Sequence, residues 1–600
     1  MRSASNQNDT LRHRRFESMD SGESFRPLVD PYSDNEHPLH TASYTRNMSY
    51  ASTPSGSYLG SATPKYTPTS SASNSVSAML DQIDEDNEME PWERDVDKHD
   101  KLAWLSLRGL LNLGTIFVVL IGLLAIFAIL PITTRLKADR RSAEQENNTG
   151  WSYNLGGINA TGQIAARARE LIDPDTPLDV YKRTGFDGKT WSLAFSDEFN
   201  LDGRTFFPGD DPFWEGVDLH YHGTNDFEWY DPSAIHTEGG SLIITQTQEP
   251  IHGLNFKSGM LQGWNKVCFW GSMYFEVSVS FPGNNRVGGF WPGIWTFGNL
   301  GRAGYTGTTD GVWPYTYDSC DTGILPNQTW VNGTGPWAAL KSGGGGSSLS
   351  YLPGHRWASC TCPGYEDEHP GPDIKTGRNV PEIDLVEAQI EVSRATGQVS
   401  QSFQVGPFNG YYKIDNTSVE VNDETVTSMN SYWGGQYQQA ASFLTDINSD
   451  YYKDNSEEYG VFAFEMMGNP ATRSDNYIAW VANGEPSWTL PASAIGPDAG
   501  ADIGQRLISE EPMYLILNLG LSDNFEAVKF TQLEWPARMA VDYVRVWVQD
   551  EYGGVGCSPS HRPTEKYIND HLDVYSNPNL TVWSDTKYPW PKNSLKDGCN

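Results

Sequence analysis

Positive charge is scarce in this chain of 600 residues: 42 Lys and Arg stand against 76 Asp and Glu, a formal charge of −34. No basic patch stands out, which argues against nucleic acid as a partner. Cysteine is sparse too, and all six cysteines lie at or beyond position 268. Long helical periods are scarce after residue 185, which argues against a helical bundle. The Gly343–Gly346 run lacks a following GK[ST], so it is no phosphate cradle. No Cys/His set completes a zinc site around Cys360 and Cys362. Neither a metal nor a cofactor is expected.

Aromatic residues, by contrast, make up 12% of the chain, with 21 Trp and 29 Tyr. Flat aromatic faces suit pyranose rings, and they also suit a β core. The length exceeds one ordinary domain, and the composition changes along it. Residues 1–108 are rich in Ser, Asn, Thr and Pro without sustained periodicity, and read as a disordered cytosolic tail. Gly109–Leu130 carries no charge. As a helix it reaches about 30 Å, enough to cross a bilayer. A buried soluble helix is the alternative, and no second span of this quality follows. Lys and Arg flank the span on both sides, so charge does not orient it. The cysteines do, because confinement to one side points to an oxidising compartment. Sequons at Asn147, Asn159, Asn327, Asn332, Asn416 and Asn579 fall on that same side. The expectation is a single-pass type II membrane protein of the ER, Golgi or plasma membrane.

Residues 131–185 read as a lumenal stalk. From 186 to 550 the chain consists of short β-branched and aromatic runs between Gly, Pro and Asn turns, for example GSMYFEVSVSF, YGVFAFEMMG and MYLILNLGLS. This predicts an all-β domain, most simply a two-sheet sandwich. Residues 551–600 form an extension in which Cys557 and Cys599 are candidates to pair as a clasp, although connectivity does not follow from sequence.

The run PEIDLVEAQI, Pro381–Ile390, threads Glu382, Asp384 and Glu387 through apolar residues. On a strand, Glu382 and Asp384 share a face, while strict alternation sends Glu387 to the other. One β-bulge between Asp384 and Glu387 restores all three to one side. Clustered carboxyls repel and desolvate one another, which separates their pKa values. Glycosidic cleavage uses such a set: one carboxylate attacks, and another protonates the leaving oxygen. Along a straight strand the Cα atoms of Glu382 and Glu387 lie roughly 13 Å apart, so a bulge and curvature must bring the carboxyls together. An exposed acidic edge strand is the plain alternative.

EIDLVE resembles the ExDxxE signature of glycoside hydrolase family 16 in its bulged, laminarinase-like form. WSLAFSDEFN (Trp191–Asn200), GSLIIT (Gly240–Thr245), the block Ser258–Gly283, GGFWPGIWTFG (Gly288–Gly298), MYLILNLGLS (Met513–Ser522) and MAVDYVRVWVQ (Met539–Gln549) resemble that family's strands in order. VWPYTYDSCDTGILPNQT and SQSFQVGPFNGYY resemble fungal membrane proteins associated with β-1,6-glucan synthesis. The resemblance implies a concanavalin A-like jelly roll, a β-glucan substrate and cooperation with the cell wall synthesis machinery. It further implies Glu382 as nucleophile, Asp384 as assisting acid and Glu387 as acid/base. Trp291 and Trp295 match the strand beside the cleft, where rings either stack on glucose or pack the core. Between Trp295 and Glu382 lies a long insertion holding Cys320, Cys360 and Cys362, expected to form disulfide-pinned loops by the cleft. The segment SFQVGPF lacks a His often found there in soluble members. His220 and His222 read as cleft or plain loop residues, and Asp197 and Glu198 as braces. Three functional readings follow: a retaining β-glucan hydrolase or transglycosylase, a non-catalytic glucan-binding scaffold for a synthase, and an enzyme of glycoprotein or glycolipid glycans.

Overall fold

The computed structural model describes residues 170–599. The tail, the 109–130 span, most of the stalk, and Asn147 and Asn159 lie outside the described residues. Among the described residues no helix is long and apolar enough to cross a membrane. The strands that build the frame are β1 (Thr190–Asp197), β2 (Ser241–Gln246), β3 (Met260–Gln262), β4 (Phe269–Ser280), β5 (Trp291–Gly298), β6 (Glu382–Glu391), β7 (Thr396–Val405), β8 (Gln438–Ile447), β9 (Gly460–Met467), β10 (Tyr477–Ala482), β11 (Glu485–Pro491), β12 (Met513–Gly520) and β13 (Ala537–Val555).

Two antiparallel ladders result. One runs β1–β13–β4–β9–β10–β11, with β2 beside the first part of β13. The other runs β3–β12–β5–β6–β7–β8. They join at the single pair Phe269–Met513, so the sheet curls back on itself. Alternation explains the packing. On β4, Met273, Phe275, Val277 and Val279 turn inward, where they share one core with Ile383, Leu385, Val399, Phe403 and Leu517 of the facing ladder. Tyr274 turns to the outer face and packs with Trp191, Leu193 and Trp547, under Val180 and Tyr181. The fold is a mostly-β, jelly-roll-like sandwich. Lys182–Thr184, at the end of the stretch read as stalk, pairs with Thr190–Ser192 of β1. Asp197 takes a two-pronged bond from Arg204, and Glu198 one from Arg545, so both acids brace the frame.

The insertion and the C-terminal extension pack together over one side of the second ladder. Trp357 of the insertion and Tyr567, Val574, Tyr575 and Trp583 of the extension join Phe297 and Tyr514 in a second core. A buried charge cluster ties the same parts. Arg378 is fully buried and bonds Glu511 at 2.8 Å, and Arg562 pairs with Glu510. Cys557 and Cys599, candidates to pair with each other, do not. Cys557 bonds Cys268, Cys599 bonds Cys362, and Cys320 bonds Cys360. The reason is register: Phe269 pairs with Val555, and the Gly556 N–H donates to Cys268, which sets Cys557 beside Cys268. At the other end, Thr361 bridges Asn593 and brings the terminus to Cys362. Asn327, Asn332, Asn416 and Asn579 are all exposed.

Candidate active site

Strand β6 carries the three acids in the middle of the second ladder. Across the β7 edge, Glu382 pairs with Gln404, Asp384 with Ser402 and Glu387 with Ser400. Residues 404, 402 and 400 are spaced by two and share a face. Their partners therefore share it too, although they sit at 382, 384 and 387. The extra residue is absorbed by a bulge in which Leu385 and Val386 stand opposite Gln401, and the β5 edge shows the same shift. Both bulge side chains are fully buried in the core, so a single irregularity serves two ends. It turns two adjacent apolar residues inward, and it turns the third acid toward its fellows.

A bulge leaves ladder groups without their usual partners. Here side chains replace them from within the core. The Gln401 amide donates to the Leu385 carbonyl at 3.1 Å and to the Val481 carbonyl at 2.9 Å, and the Ser487 hydroxyl donates to Gln401 at 2.7 Å. The Trp480 indole donates to the Asp384 carbonyl at 2.9 Å. Both polar groups are sealed among apolar neighbours. They pin the irregular backbone to the facing ladder.

The acids face different partners. The Trp313 indole donates to Glu382 Oε2 at 2.7 Å. Gln404 donates to Asp384 Oδ2 at 3.0 Å. The Trp291 and Ser400 side chains hydrogen-bond Glu387. Burial, then repulsion from Glu387, pushes Glu382 up to about 8, against the opposing pull of the Trp313 and Asp384 hydrogen bonds. Burial and then Glu382 raise Asp384 well above the usual carboxylate range. Burial and then Asp384 do the same to Glu387. Two hydrogen bonds favour the ionised form of Glu382, and one of them comes from Asp384. Hydrogen bonds favour the ionised forms of Glu382 and of Glu387 against burial, which holds the Glu382 proton up to about 8, and the Asp384 proton is directed at Glu382. The Tyr221 phenol is likewise held up, by burial first and then by Glu382.

Trp291 stacks on Phe525, ring centres 4.4 Å apart. Trp295 is buried, edge-on to Phe297, with its indole donating to Asn518 at 2.8 Å. Asn518 in turn donates to Tyr230, and Tyr230 to the buried Asp226. His220 and His222 contact each other ring to ring at 4.3 Å, and a ring nitrogen of His220 bonds the Asp226 carbonyl. Trp313, Gln401, Gln404 and Trp480 escaped the sequence reading. Alternation from Ser400 signals Gln404, and Gln401 alternates with Val399 and Phe403 on the strand's apolar face. Nothing local signals Trp313, whose partner lies 69 positions on. Among the described residues no group of three or more His, Cys, Asp or Glu is arranged to hold a metal.

Residues 75–599 match a family model described as beta-glucan synthesis-associated protein SKN1/KRE6/Sbg1. The chain is 38% identical over 575 residues to the beta-glucan synthesis-associated protein KRE6 of Saccharomyces cerevisiae, covering 94% of this chain and 75% of that one. It is 40% identical over 499 residues to the protein of the same description from Candida albicans, of which it spans 63%. Among solved structures, an endo-beta-1,3-glucanase from Pyrococcus furiosus aligns at a TM-score of 0.36 and 17% identity, over 62% of this chain and 98% of that one. A laminarinase catalytic domain from Thermotoga petrophila aligns at 0.34 and 16%, over 60% and 98%.

Two outcomes follow from the acids and their bulge. Between the ordinary carboxyl range and about 8, the folded chain keeps a proton on Glu382 that the unfolded chain releases, so this group costs stability as pH rises through that window. Glu382→Gln is expected to raise the melting temperature at pH 8 and to change it little at pH 4, as thermal melts at both values would register. Gln401→Leu orphans two buried carbonyls and a hydroxyl. The expected loss is about 2–4 kcal/mol in denaturant melts.

Proposed function

The chain belongs to the SKN1/KRE6/Sbg1 family of beta-glucan synthesis-associated proteins, and on that premise we propose that it is a retaining β-glucan hydrolase or transglycosylase serving assembly of β-1,6-glucan. In this reading residues 109–130 anchor it as a type II protein in a membrane of the secretory pathway, with the sandwich on the lumenal or outer side. The observation that carries the chemistry is the bulged β6 strand, which presents three coupled carboxyls on one face with different hydrogen-bond partners.

Glu382 attacks the anomeric carbon as a carboxylate. The bond from that carbon to the leaving oxygen breaks, and Glu387 gives the oxygen its proton. The sugar is then held as an ester of Glu382. In the second step Glu387, now ionised, takes a proton from water or from a glucan hydroxyl, whose oxygen displaces Glu382 from the anomeric carbon. Water completes hydrolysis, and a sugar hydroxyl completes transfer. Asp384 keeps its proton throughout and steadies Glu382 through their hydrogen bond. Trp313 supplies a second donor to the same carboxylate, and such donors act where charge is lost and regained. Burial keeps Glu387 protonated above its usual range, as a general acid needs at neutral pH.

The test is to incubate the protein with β-1,3- and β-1,6-gluco-oligosaccharides and weigh the products. Shorter or longer oligomers are expected from the native chain and none from Glu382→Gln. Oligomers that bind both proteins yet emerge unchanged from both would favour a non-catalytic scaffold. Trp313→Phe removes one donor to the Glu382 carboxylate, so the pKa of that group rises further. The acid limb of the kcat/KM profile should move to higher pH, with the plateau falling by about tenfold to a hundredfold.

A further inference from the structure

One lateral row of the second ladder leads away from the acids. Glu382 pairs with Gln404, and Gln404 with Ala440. Beyond Ala440, Gly434 pairs with Gln439, and the Ala440 N–H donates to the Trp433 carbonyl. Trp433 therefore continues that register opposite Ala440, which lies on the face that bears Glu382. Three strand spacings separate it from Glu382, about 14 Å. The parallel row runs Asp384, Ser402, Ser442, and the Asn430 side chain donates to the Ser442 hydroxyl. The side chains between carry no charge, and Ser402, Gln404, Ala440 and Ser442 are themselves largely covered.

At the end of these rows lies a group of exposed aromatics. Tyr432 is 53% exposed, Trp433 42% and Tyr351 40%. Tyr351 comes from the insertion, and its ring meets Tyr437 at 5.7 Å. Its backbone N–H donates to the Gln436 carbonyl at 2.7 Å, which fixes the insertion against the loop that carries Tyr432 and Trp433. The buried Tyr412 phenol senses both Tyr432 and Tyr351 and is pushed up to about 12, after the larger effect of burial. Tyr351 and the loop that carries Tyr432 and Trp433 thus belong to one assembly built from two distant segments. Core packing does not account for side chains this open, and grouped exposed aromatics mark a contact surface.

We propose that Tyr351, Tyr432 and Trp433 form an outer platform that binds a stretch of β-linked glucan a few sugar residues away from the bond being processed. The occupant follows from continuity and charge. The platform shares a face with the three acids through an uncharged floor of Ser, Gln, Ala and Asn, which suits a neutral polyhydroxyl chain and offers nothing to an ionic partner. The C–H faces of glucose rings match the flat rings of Tyr and Trp, whose polar edges meet the hydroxyls. The proposal rests on the glucan reading above and adds to it: chain length, not only linkage, governs binding.

The experiment uses the intact chain in detergent with Glu382→Gln, so that ligands persist. Its affinity for short and long members of a gluco-oligosaccharide series is measured by calorimetry, with and without Tyr432→Ala and Trp433→Ala. Affinity is expected to rise with length in the parent. The double variant should bind long oligomers about tenfold more weakly while holding short ones unchanged, and Trp433→Phe should recover most of the loss. Unchanged short-oligomer binding also reports that the variant is folded. If the parent binds short oligomers but gains nothing from length, the platform is overturned and the glucan reading stands. A parent that binds no oligosaccharide overturns both. Loss of self-association in the variant, without loss of long-oligomer affinity, assigns the surface to a second copy and also overturns the platform.

Discussion

A strand alternates its side chains strictly, and this constraint shapes the whole candidate site. Positions 382 and 384 obey it and 387 does not, so one residue must be gained between them. The gain occurs at Leu385 and Val386, and both enter the core. Everything nearby serves that displacement. Gln401 of the neighbouring β7 and Trp480 of the facing ladder take up the freed carbonyls, and Ser487 holds Gln401. The three acids are thus positioned from behind, by polar groups in an otherwise apolar interior. A bulge held in this way is rigid, which a pair of reacting carboxyls requires.

Three carboxyls in a partly closed face repel one another, and each is driven toward its protonated form. That is a stability cost which useful chemistry justifies and plain structure does not. The frame around it is correspondingly strong. Three disulfides close it, two of them joining positions 289 and 237 residues apart. The Arg378–Glu511 and Arg562–Glu510 pairs tie the insertion and the extension to the same short segment before β12. The insertion also reaches toward the candidate site: Trp313 bonds Glu382, and the Tyr351 backbone bonds the loop of Tyr432 and Trp433. The insertion is therefore both a brace and a source of side chains for the site.

The strands were legible because their runs are short, β-branched and bounded by turn residues, and the inward positions of β4 follow directly from alternation. The bulge was legible for a sharper reason: the 382, 384, 387 spacing cannot share a face without one. Pairings made by distant segments were not legible. Cys557 is set by the register of β13 on β4, and no local spacing near either cysteine encodes that register. Trp313 belongs to the same class. Its role depends on an insertion folding back on β6, and an indole in a Trp-rich chain carries no mark of its partner. Trp295 shows the limit from the other side: its strand was recognisable, yet only packing reveals that its ring is buried against Phe297 and tethered by Asn518.

The central claim is that β6 holds a retaining centre with Glu382 as its nucleophile. The most direct measurement is to trap the glycosyl ester with a 2-fluoro-glucoside, digest the protein and sequence the labelled peptide by mass spectrometry. The account predicts one sugar on the peptide that contains Pro381–Ile390, located at Glu382 and displaced when a glucan acceptor is added. A label on Glu387 or on an acid outside β6 would contradict it, as would an unlabelled protein that still converts glucan.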